Sequence, residues 1–301
     1  MSFPKPLIES RAFGDWRIHA IQAGGQQLDG GAMFGVVPKS LWQRRLAADE
    51  LNRIPMGMRC LLIEHVDELV LIDTGAGNKE TQKFHSIYGM ENEGTNNRTA
   101  LEDGIRAAGF SPDDVTLVIN THLHFDHAGG NTYRDAEGQV SPSFPNARYT
   151  VQRGEMDWAT HTNERTAASY FTPNWSSIVD AGRMTLTEGA TDIIPGISVV
   201  MTPGHTPYHQ SVMLASNGET ACFLGDVVPT THHLPLPWIM GYDVEPLVTL
   251  ESKRHLLKRA LDEGWILVFE HDAHHGWGRV ANDGKAYGFI PIGADVRPSS
   301  L

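Results

Sequence analysis

The sequence contains 301 residues, of which 41% are hydrophobic and 20% are charged. This composition is typical of a folded globular protein and excludes a disordered or collagen-like chain, and the length allows a single domain over residues 1–301. The formal net charge of −12 repels phosphate backbones and anionic lipid, so we expect neither a nucleic-acid nor a membrane partner.

The first half of the chain predicts strands that alternate with helices. Two apolar runs over residues 59–65 and 68–75 predict a β-hairpin that ends in a loop. Residues 99–110 place apolar side chains on one face of a helix, and residues 115–120 predict a buried strand. We therefore expect an α/β architecture.

The second half continues the pattern. Residues 197–202 predict a strand, and residues 209–216 and 219–226 predict a hairpin because an Asn-Gly dipeptide joins them. A helix is predicted over residues 247–263, and a buried strand over residues 265–271 ends on a histidine. Several predicted strands thus end in polar residues, at the edge where open α/β architectures usually carry their chemistry.

A cluster of candidate metal ligands follows directly after the strand predicted over residues 115–120. Its members are His122, His124, Asp126 and His127. A looping backbone can point the first two toward one centre and the last two toward a neighbouring centre, which suits two adjacent metal ions. Imidazole and carboxylate favour Zn²⁺, and Fe, Mn and Co accept the same ligands. The ends of other predicted strands supply three further candidates, His205, Asp226 and His271.

Five segments in this order resemble the metallo-β-lactamase superfamily of metal-dependent hydrolases. They are LIDTG (71–75), THLHFDHAGG (121–130), TPGHTPYH (202–209), LGD (224–226) and FEHD (269–272). The resemblance implies a four-layer αββα sandwich that binds two divalent metal ions. By the same resemblance, Asp73 supports the site rather than binding metal.

The resemblance also assigns the ligands to two sites. One site is formed by His122, His124 and His205, the other by Asp126, His127 and His271, and Asp226 bridges both. No other side chain is needed to complete two sites.

Within the superfamily the chain is most similar to the N-acyl homoserine lactonases, which quench quorum signalling. The similarity rests on TPGHTPYHQSVML, FEHD and the GGAMFG segment. It implies a lactone-opening hydrolase in which a metal-bridging hydroxide attacks the carbonyl, with Asp226 and Asp126 catalytic and Asp126 moving a proton to the leaving oxygen. Hydrolysis of phosphotriesters or other esters on the same metal centre is the alternative. Lactonases of this kind are often dimers, so a homodimer is expected.

The chain departs from some of these lactonases at one position. They have a tyrosine three residues after the bridging aspartate, where this chain has Pro229. Tyr242, His232 or His233 are the candidates to replace it, and the two histidines otherwise suit a supporting role around the metal ligands.

Bulky apolar residues supply candidates for a pocket that holds an acyl chain. They are Met33, Phe34, Trp42, Met56, Trp238 and Tyr242. The same side chains equally suit a hydrophobic core. Several lie in residues 24–57, which, like residues 161–178, have an irregular pattern typical of lids, pocket walls or surface loops.

Cysteine usage and the N-terminal sequence both bear on the compartment. Cys60 and Cys222 lie in apolar runs and are expected to be buried free thiols, which favours a reducing environment. The N-terminal residues show no secretion signal, and no segment approaches the roughly 20 apolar residues of a membrane span. We therefore expect a cytoplasmic protein.

Overall fold

The computed structural model describes residues 7–293, and within them two seven-stranded sheets form the body of the fold. The first sheet contains, in spatial order, β1 (Ile8–Phe13), β2 (Trp16–Asp29), β3 (Arg53–Glu64), β4 (Leu69–Ile72), β5 (Leu117–Ile119), β8 (Arg148–Gln152) and β9 (Met184–Thr187). A small separate sheet pairs β6 (Thr132–Arg134) with β7 (Val140–Pro142). The second large sheet contains β10 (Thr191–Ile194), β11 (Ile197–Met201), β12 (Gln210–Ser216), β13 (Glu219–Phe223), β14 (Ile266–Val268), β15 (Trp277–Asn282) and β16 (Tyr287–Pro291).

Helices cover the outer faces of the two sheets and fill their connections. They are α1 (Gly30–Phe34), α2 (Lys39–Trp42), α3 (Gln82–Tyr88), α4 (Ala100–Ala107), α5 (Phe125–Ala128), α6 (Arg153–Thr160), α7 (Ser176–Asp180) and α8 (Pro246–Glu263). Helix α4 begins with a reciprocal capping box between Thr99 and Glu102, and α8 ends at Gly264, whose φ is +69°. Among the described residues, no helix combines the length and apolarity needed to cross a bilayer.

Successive side chains of each strand point to opposite faces of its sheet, and this alternation creates the layers. In β4, Val70 and Ile72 pack into the core between the two sheets, whereas Leu69 and Leu71 face the opposite way and pack with residues of α4. In β14, Ile266 and Val268 enter the same central core. On the other face of the second sheet, the central residue of β14 packs against α8. Helix, sheet, sheet and helix therefore stack in four layers, as predicted.

Strand direction brings the functional loops to one edge of each sheet. β4 and β5 are parallel, so the loops that follow them leave at the same edge of the first sheet. β13 and β14 are also parallel, and β11 points the same way because both β11 and β13 pair antiparallel with β12. The loops after β5, β11, β13 and β14 carry the candidate ligands, and the loop after β4 carries Asp73.

Most of the predicted elements are confirmed, including both hairpins and both helices. Asn217 and Gly218, which join the second hairpin, have φ of +43° and +81°, as a tight hairpin turn requires. The two cysteines are buried and free, as expected.

Two predictions about strand extent are wrong. The strand expected to reach His271 ends at Val268, because the backbone beyond it leaves the ladder: Phe269 N–H donates to Gly276 and Glu270 C=O accepts from Arg59. Residues 24–57 are also less irregular than expected, since their two ends belong to β2 and β3. Residues 24–26 of β2 are all buried, so this part of the strand shows no alternation of apolar and polar residues.

The close approach of two loops explains the glycines that follow the histidine motif. A methyl group added to Gly130 would collide with the carbonyl oxygen of Thr74, which belongs to the loop after β4. We expect Gly130→Ala to lower the free energy of unfolding by about 1–3 kcal/mol through overpacking. Thermal denaturation measures this change. Gly288→Ala is the control, because nothing lies within 4 Å of its added methyl group, and an equal loss in both variants would contradict the explanation.

Candidate metal centre

The seven predicted ligand side chains converge on two neighbouring clusters. The ligand atoms of each cluster lie within 4.8 Å of one another, and the clusters are His122, His124 and His205, and Asp126, His127 and His271. In the first, His205 Nε2 lies 3.0 Å from His124 Nδ1. In the second, His271 Nε2 lies 3.1 Å from His127 Nε2. Ring nitrogens from separate loops thus point at a common centre in each cluster.

The carboxylate of Asp226 lies between the two clusters. Its Oδ2 is 3.0 Å from His205 Nε2 in the first cluster. Its Oδ1 is 3.0 Å from His271 Nε2 and 3.6 Å from His127 Nε2 in the second. The two oxygens of one side chain therefore face different clusters, which is the arrangement of a bridging ligand.

Hydrogen bonds on the outer side of the imidazoles determine which nitrogen faces the centre. His205 Nδ1 donates to Asp243 Oδ1 at 2.9 Å, and His271 Nδ1 donates to the carbonyl oxygen of Gly57 at 2.7 Å. Because carbonyl and carboxylate oxygens only accept, each Nδ1 carries a proton, and Nε2 is the nitrogen that faces the centre. These partners prepare the two rings to bind a cation.

Asp73 orients two further imidazoles in the same way. Its carboxylate accepts the Thr121 hydroxyl at 2.7 Å and His127 Nδ1 at 3.1 Å. Since the Thr121 hydroxyl donates to Asp73, it accepts a hydrogen bond from His122 Nδ1 at 3.0 Å. The structure thus places Asp73, which is fully buried, behind the candidate ligands.

The electrostatics of the buried groups suit metal binding. Burial, together with the imidazoles of His127 and His124, holds the pKa of His122 well below its usual range, so this ring is neutral. Burial opposes ionisation of Asp226, but the imidazoles of His271 and His205 outweigh it and hold the pKa of that carboxyl well below its usual range. His122 therefore offers a neutral imidazole and Asp226 an ionised carboxylate, which are the forms that ligate metals.

Unpartnered atoms at the centre show that these residues fit divalent cations. His122 Nε2 and Asp226 Oδ1 are buried, and neither has a hydrogen-bond partner among the described residues. Leaving a lone pair and a carboxylate oxygen in this state is costly without a cation. Nitrogens bound to one tetrahedral zinc ion at about 2.0–2.1 Å are roughly 3.3 Å apart, close to the nitrogen separations in both clusters. Zn²⁺, Fe, Mn and Co all accept this donor set.

Comparison with known proteins agrees with this geometry. A family model described as the metallo-beta-lactamase superfamily matches residues 58–271. The chain belongs to the metallo-β-lactamase superfamily. This confirms the resemblance predicted from the histidine motif, and the four-layer sandwich is the fold of this superfamily.

Relatives within the superfamily are similar over most of the chain. An N-acyl homoserine lactonase of a Bacillus species is 29% identical over 235 residues, which cover 75% of this chain and 85% of the relative. The solved structure of a probable metal-dependent hydrolase from Staphylococcus aureus has a TM-score of 0.84 and 29% identity, and the match covers 95% of this chain and all of that one.

A third similarity concerns the fold alone. AidC, a dizinc quorum-quenching lactonase solved in complex with a product, N-hexanoyl-L-homoserine, has a TM-score of 0.79 with 19% identity. The match covers 96% of this chain and 98% of that one. The shared architecture therefore extends well beyond the residues that the family model matches.

A cavity of about 350 Å³ opens onto the ligand clusters of this superfamily member. Its volume lies within the range of small-molecule sites. Apolar and aromatic side chains form much of its wall, namely Leu28, Met33, Tyr88, Phe125, Met240 and Tyr242. Arg165, Thr166 and Ser169 also line it, so part of residues 161–178 is a pocket wall.

The structure places two of the six predicted pocket residues at the cavity and four away from it. Met33 and Tyr242 line the cavity, but Phe34, Trp42, Met56 and Trp238 do not. Phe34 instead stacks on Trp42 with ring centroids 5.3 Å apart and meets Trp238 edge-on at 5.5 Å. These side chains form a core cluster behind Met33, because mutual aromatic packing buries them more completely than a solvent-filled cavity does.

His232 and His233 do not support the metal ligands. His233 Nε2 donates to the Met33 carbonyl at 2.8 Å, and its ring stacks on Phe34 at 4.7 Å. It therefore fixes α1 rather than an imidazole of the centre. The described contacts of His232 include its backbone N–H to Thr230 and none with a ligand. Of the three candidates for the role that Pro229 leaves open, Tyr242 is the one that lines the cavity.

Three residues that contact the candidate ligands were not among the predicted site residues. Asp243 and Glu270 contact the outer nitrogens of His205 and His127, at 2.9 Å and 3.0 Å. Gln26 Nε2 donates to Asp126 Oδ2 at 2.5 Å. Asp243 and Gln26 belong to no spacing pattern that predicts their positions. Glu270 lies in the FEHD segment directly before His271, so its position next to a candidate ligand was visible in the sequence.

The contact between Asp243 and His205 predicts a change in metal affinity. Asp243→Ala removes the carboxylate that holds the His205 ring, and we expect metal affinity to fall about 10–100-fold. Competition with a chromogenic chelator measures this. Asp157→Ala, at an exposed position of α6, is the control and should bind metal like the unmodified protein. Equal affinities in all three proteins would refute an orienting role for Asp243.

Proposed function

We propose that the protein is a dinuclear metal-dependent hydrolase that opens lactone rings, with N-acyl homoserine lactones as its substrates. The observation that carries the proposal is the position of Asp226, whose two oxygens face different histidine clusters at 3.0 Å. A carboxylate shared in this way suits a pair of cations held close together, as two-metal hydrolases require.

The relatives and the cavity support the choice of substrate. Curated relatives from Bacillus species are named N-acyl homoserine lactonases, and they match more than two thirds of this chain. The cavity places an apolar wall that includes Met33 and Met240 next to the candidate ligands. Such a wall suits an acyl chain, while the polar floor suits a lactone ring.

The proposed ligands divide between two ions. His122, His124 and His205 would hold one ion, Asp126, His127 and His271 the other, and Asp226 both. Bound divalent cations supply Lewis acidity, which lowers the pKa of water from 15.7 to about 7 and polarises a carbonyl oxygen. We propose Zn²⁺ as the resident ion because five imidazoles and two carboxylates form a set that zinc commonly uses.

Residues of the chain itself orient the groups and move the proton. In lactone hydrolysis, water adds to the carbonyl carbon, the bond from that carbon to the ring oxygen breaks, and the ring oxygen leaves as a hydroxyl group. We assign the transfer of this proton to Asp126, which lines the cavity. Gln26 donates to Asp126 Oδ2 and fixes the orientation of that carboxylate.

The remaining parts of the proposal concern the state of the protein. We propose a single domain, because side chains of both sheets share one central core. We also propose a cytoplasmic protein without a nucleic-acid partner, which the charge of −12 and the two free thiols support. The homodimer stays a prediction.

Substrate preference tests the proposed reaction. With the metal-loaded enzyme, we expect an N-acyl homoserine lactone to show a kcat/KM at least about 100-fold above that of a paraoxon-type phosphotriester, a difference of about 2.7 kcal/mol. The lactone panel includes several acyl lengths and a β-lactam. Faster hydrolysis of the phosphotriester would replace the proposed substrate with the alternative.

Removal of the bridging carboxylate tests the centre. We expect Asp226→Ala to bind fewer than two metal ions per chain and to lose at least about 10³-fold in kcat, which corresponds to about 4 kcal/mol. Elemental analysis and lactone hydrolysis measure the two effects. Circular dichroism verifies folding, and Asp157→Ala is the control. Full metal content and turnover in Asp226→Ala would overturn the mechanism.

A further inference from the structure

Glu155 is a fully buried carboxylate that does not belong to the ligand set. It lies in the first turn of α6, and its Oε1 accepts hydrogen bonds from the backbone N–H of Leu123 at 3.1 Å and from the Tyr170 hydroxyl at 2.9 Å. Its Oε2 accepts the Thr206 hydroxyl at 2.7 Å. One side chain thus joins three segments that are far apart in the sequence.

Each of these three segments touches the same half of the metal centre. Leu123 lies between His122 and His124, and Thr206 directly follows His205. The ring of Tyr170 packs against the imidazole of His124, with centroids 4.6 Å apart and the planes at 62°. All three ligands of the first cluster are therefore adjacent to a group that Glu155 holds.

The same segment also forms part of the cavity wall. Ser169, which precedes Tyr170, lines the cavity, and its carbonyl oxygen accepts the N–H of Phe125 at 2.9 Å. Phe125 follows His124 in the chain. The wall and the first cluster are thus linked twice, through Glu155 and through this backbone hydrogen bond.

We propose that Glu155 is the positioning residue of the three-histidine half of the metal centre and couples that half to the cavity wall around Tyr170. The proposal rests on the two-ion centre proposed above. Glu155 accepts three hydrogen bonds and its contacts do not include Asp126, His127 or His271 among the described residues. Its loss should therefore affect one ion much more than the other.

Metal stoichiometry and affinity test this asymmetry. The wild-type protein should bind two ions, whereas Glu155→Ala should retain one tightly and bind the other about 10–100-fold more weakly in chelator competition. Glu155→Gln should stay within about threefold of the wild-type affinity, because its amide oxygen still accepts from Leu123 and Tyr170 and its amide N–H can donate to Thr206.

The absorption spectrum of the Co²⁺-loaded protein identifies which ion is lost. The spectrum of Glu155→Ala should match that of His124→Ala, in which the first cluster is broken, and should differ from that of His271→Ala, in which the second is broken. Equal weakening of both ions, or a spectrum like that of His271→Ala, would overturn the proposal.

A milder pair of variants keeps the test informative if Glu155→Ala does not fold. Tyr170→Phe removes one of the three hydrogen bonds but keeps the ring against His124, and we expect about a threefold to tenfold weaker first ion and a higher KM for the lactone. Tyr149→Phe is the matched control, since Tyr149 is also buried and its hydroxyl donates to the carbonyl oxygen of Asn131. Unchanged affinity for the first ion in Tyr170→Phe, when Glu155→Ala cannot be measured, would count against positioning by Glu155. A wild-type protein that binds fewer than two ions would instead refute the centre itself, and this proposal with it.

Discussion

The meeting of imidazole lone pairs around the carboxylate of Asp226 is the interaction on which the rest of the structure depends. His271 Nε2 and His127 Nε2 lie 3.1 Å apart, and two buried nitrogens at this distance repel one another unless a proton or a metal cation lies between them. The hydrogen-bond partners behind the rings fix which nitrogen of each imidazole faces the centre. Asp73, Asp243 and the carbonyl of Gly57 accept the Nδ1 protons, so the rings cannot relieve the repulsion by exchanging tautomers.

The fold serves this constraint by holding short loops on rigid strands. Strands as short as β5 and β14 contribute only three residues each to the ladders, yet every one of those residues is buried. Their parallel neighbours, β4 and β13, begin loops that leave in the same direction. The positions of the candidate ligands are thereby set by the sheets and not by the loops alone, which is what an accurately shaped site requires.

The candidate ligands could be named from the sequence because their chemistry is local. Four candidate ligands lie within six residues, and His205, Asp226 and His271 follow apolar runs that end at the same edge, so residue type and strand ends were sufficient to predict them. The four-layer fold followed from the same motifs.

The positions of the bulky apolar side chains could not be predicted, because three-dimensional packing determines them. Phe34, Trp42 and Met33 are neighbours of similar character, and periodicity does not tell which side chain faces a cavity and which fills the core behind it. Asp243 contacts His205, 38 positions away, and Glu155 contacts Leu123, 32 positions away, and no local pattern encodes such pairing.

The division of the ligands between the sheets has a consequence for biogenesis. The first sheet is built from the N-terminal part of the chain and delivers His122, His124, Asp126 and His127, while the second sheet delivers His205, Asp226 and His271. Neither part alone carries a complete set. A ribosome that has released only the first sheet therefore exposes an unfinished chelating loop, and a complete ligand set forms only after the second sheet has been synthesised and has docked.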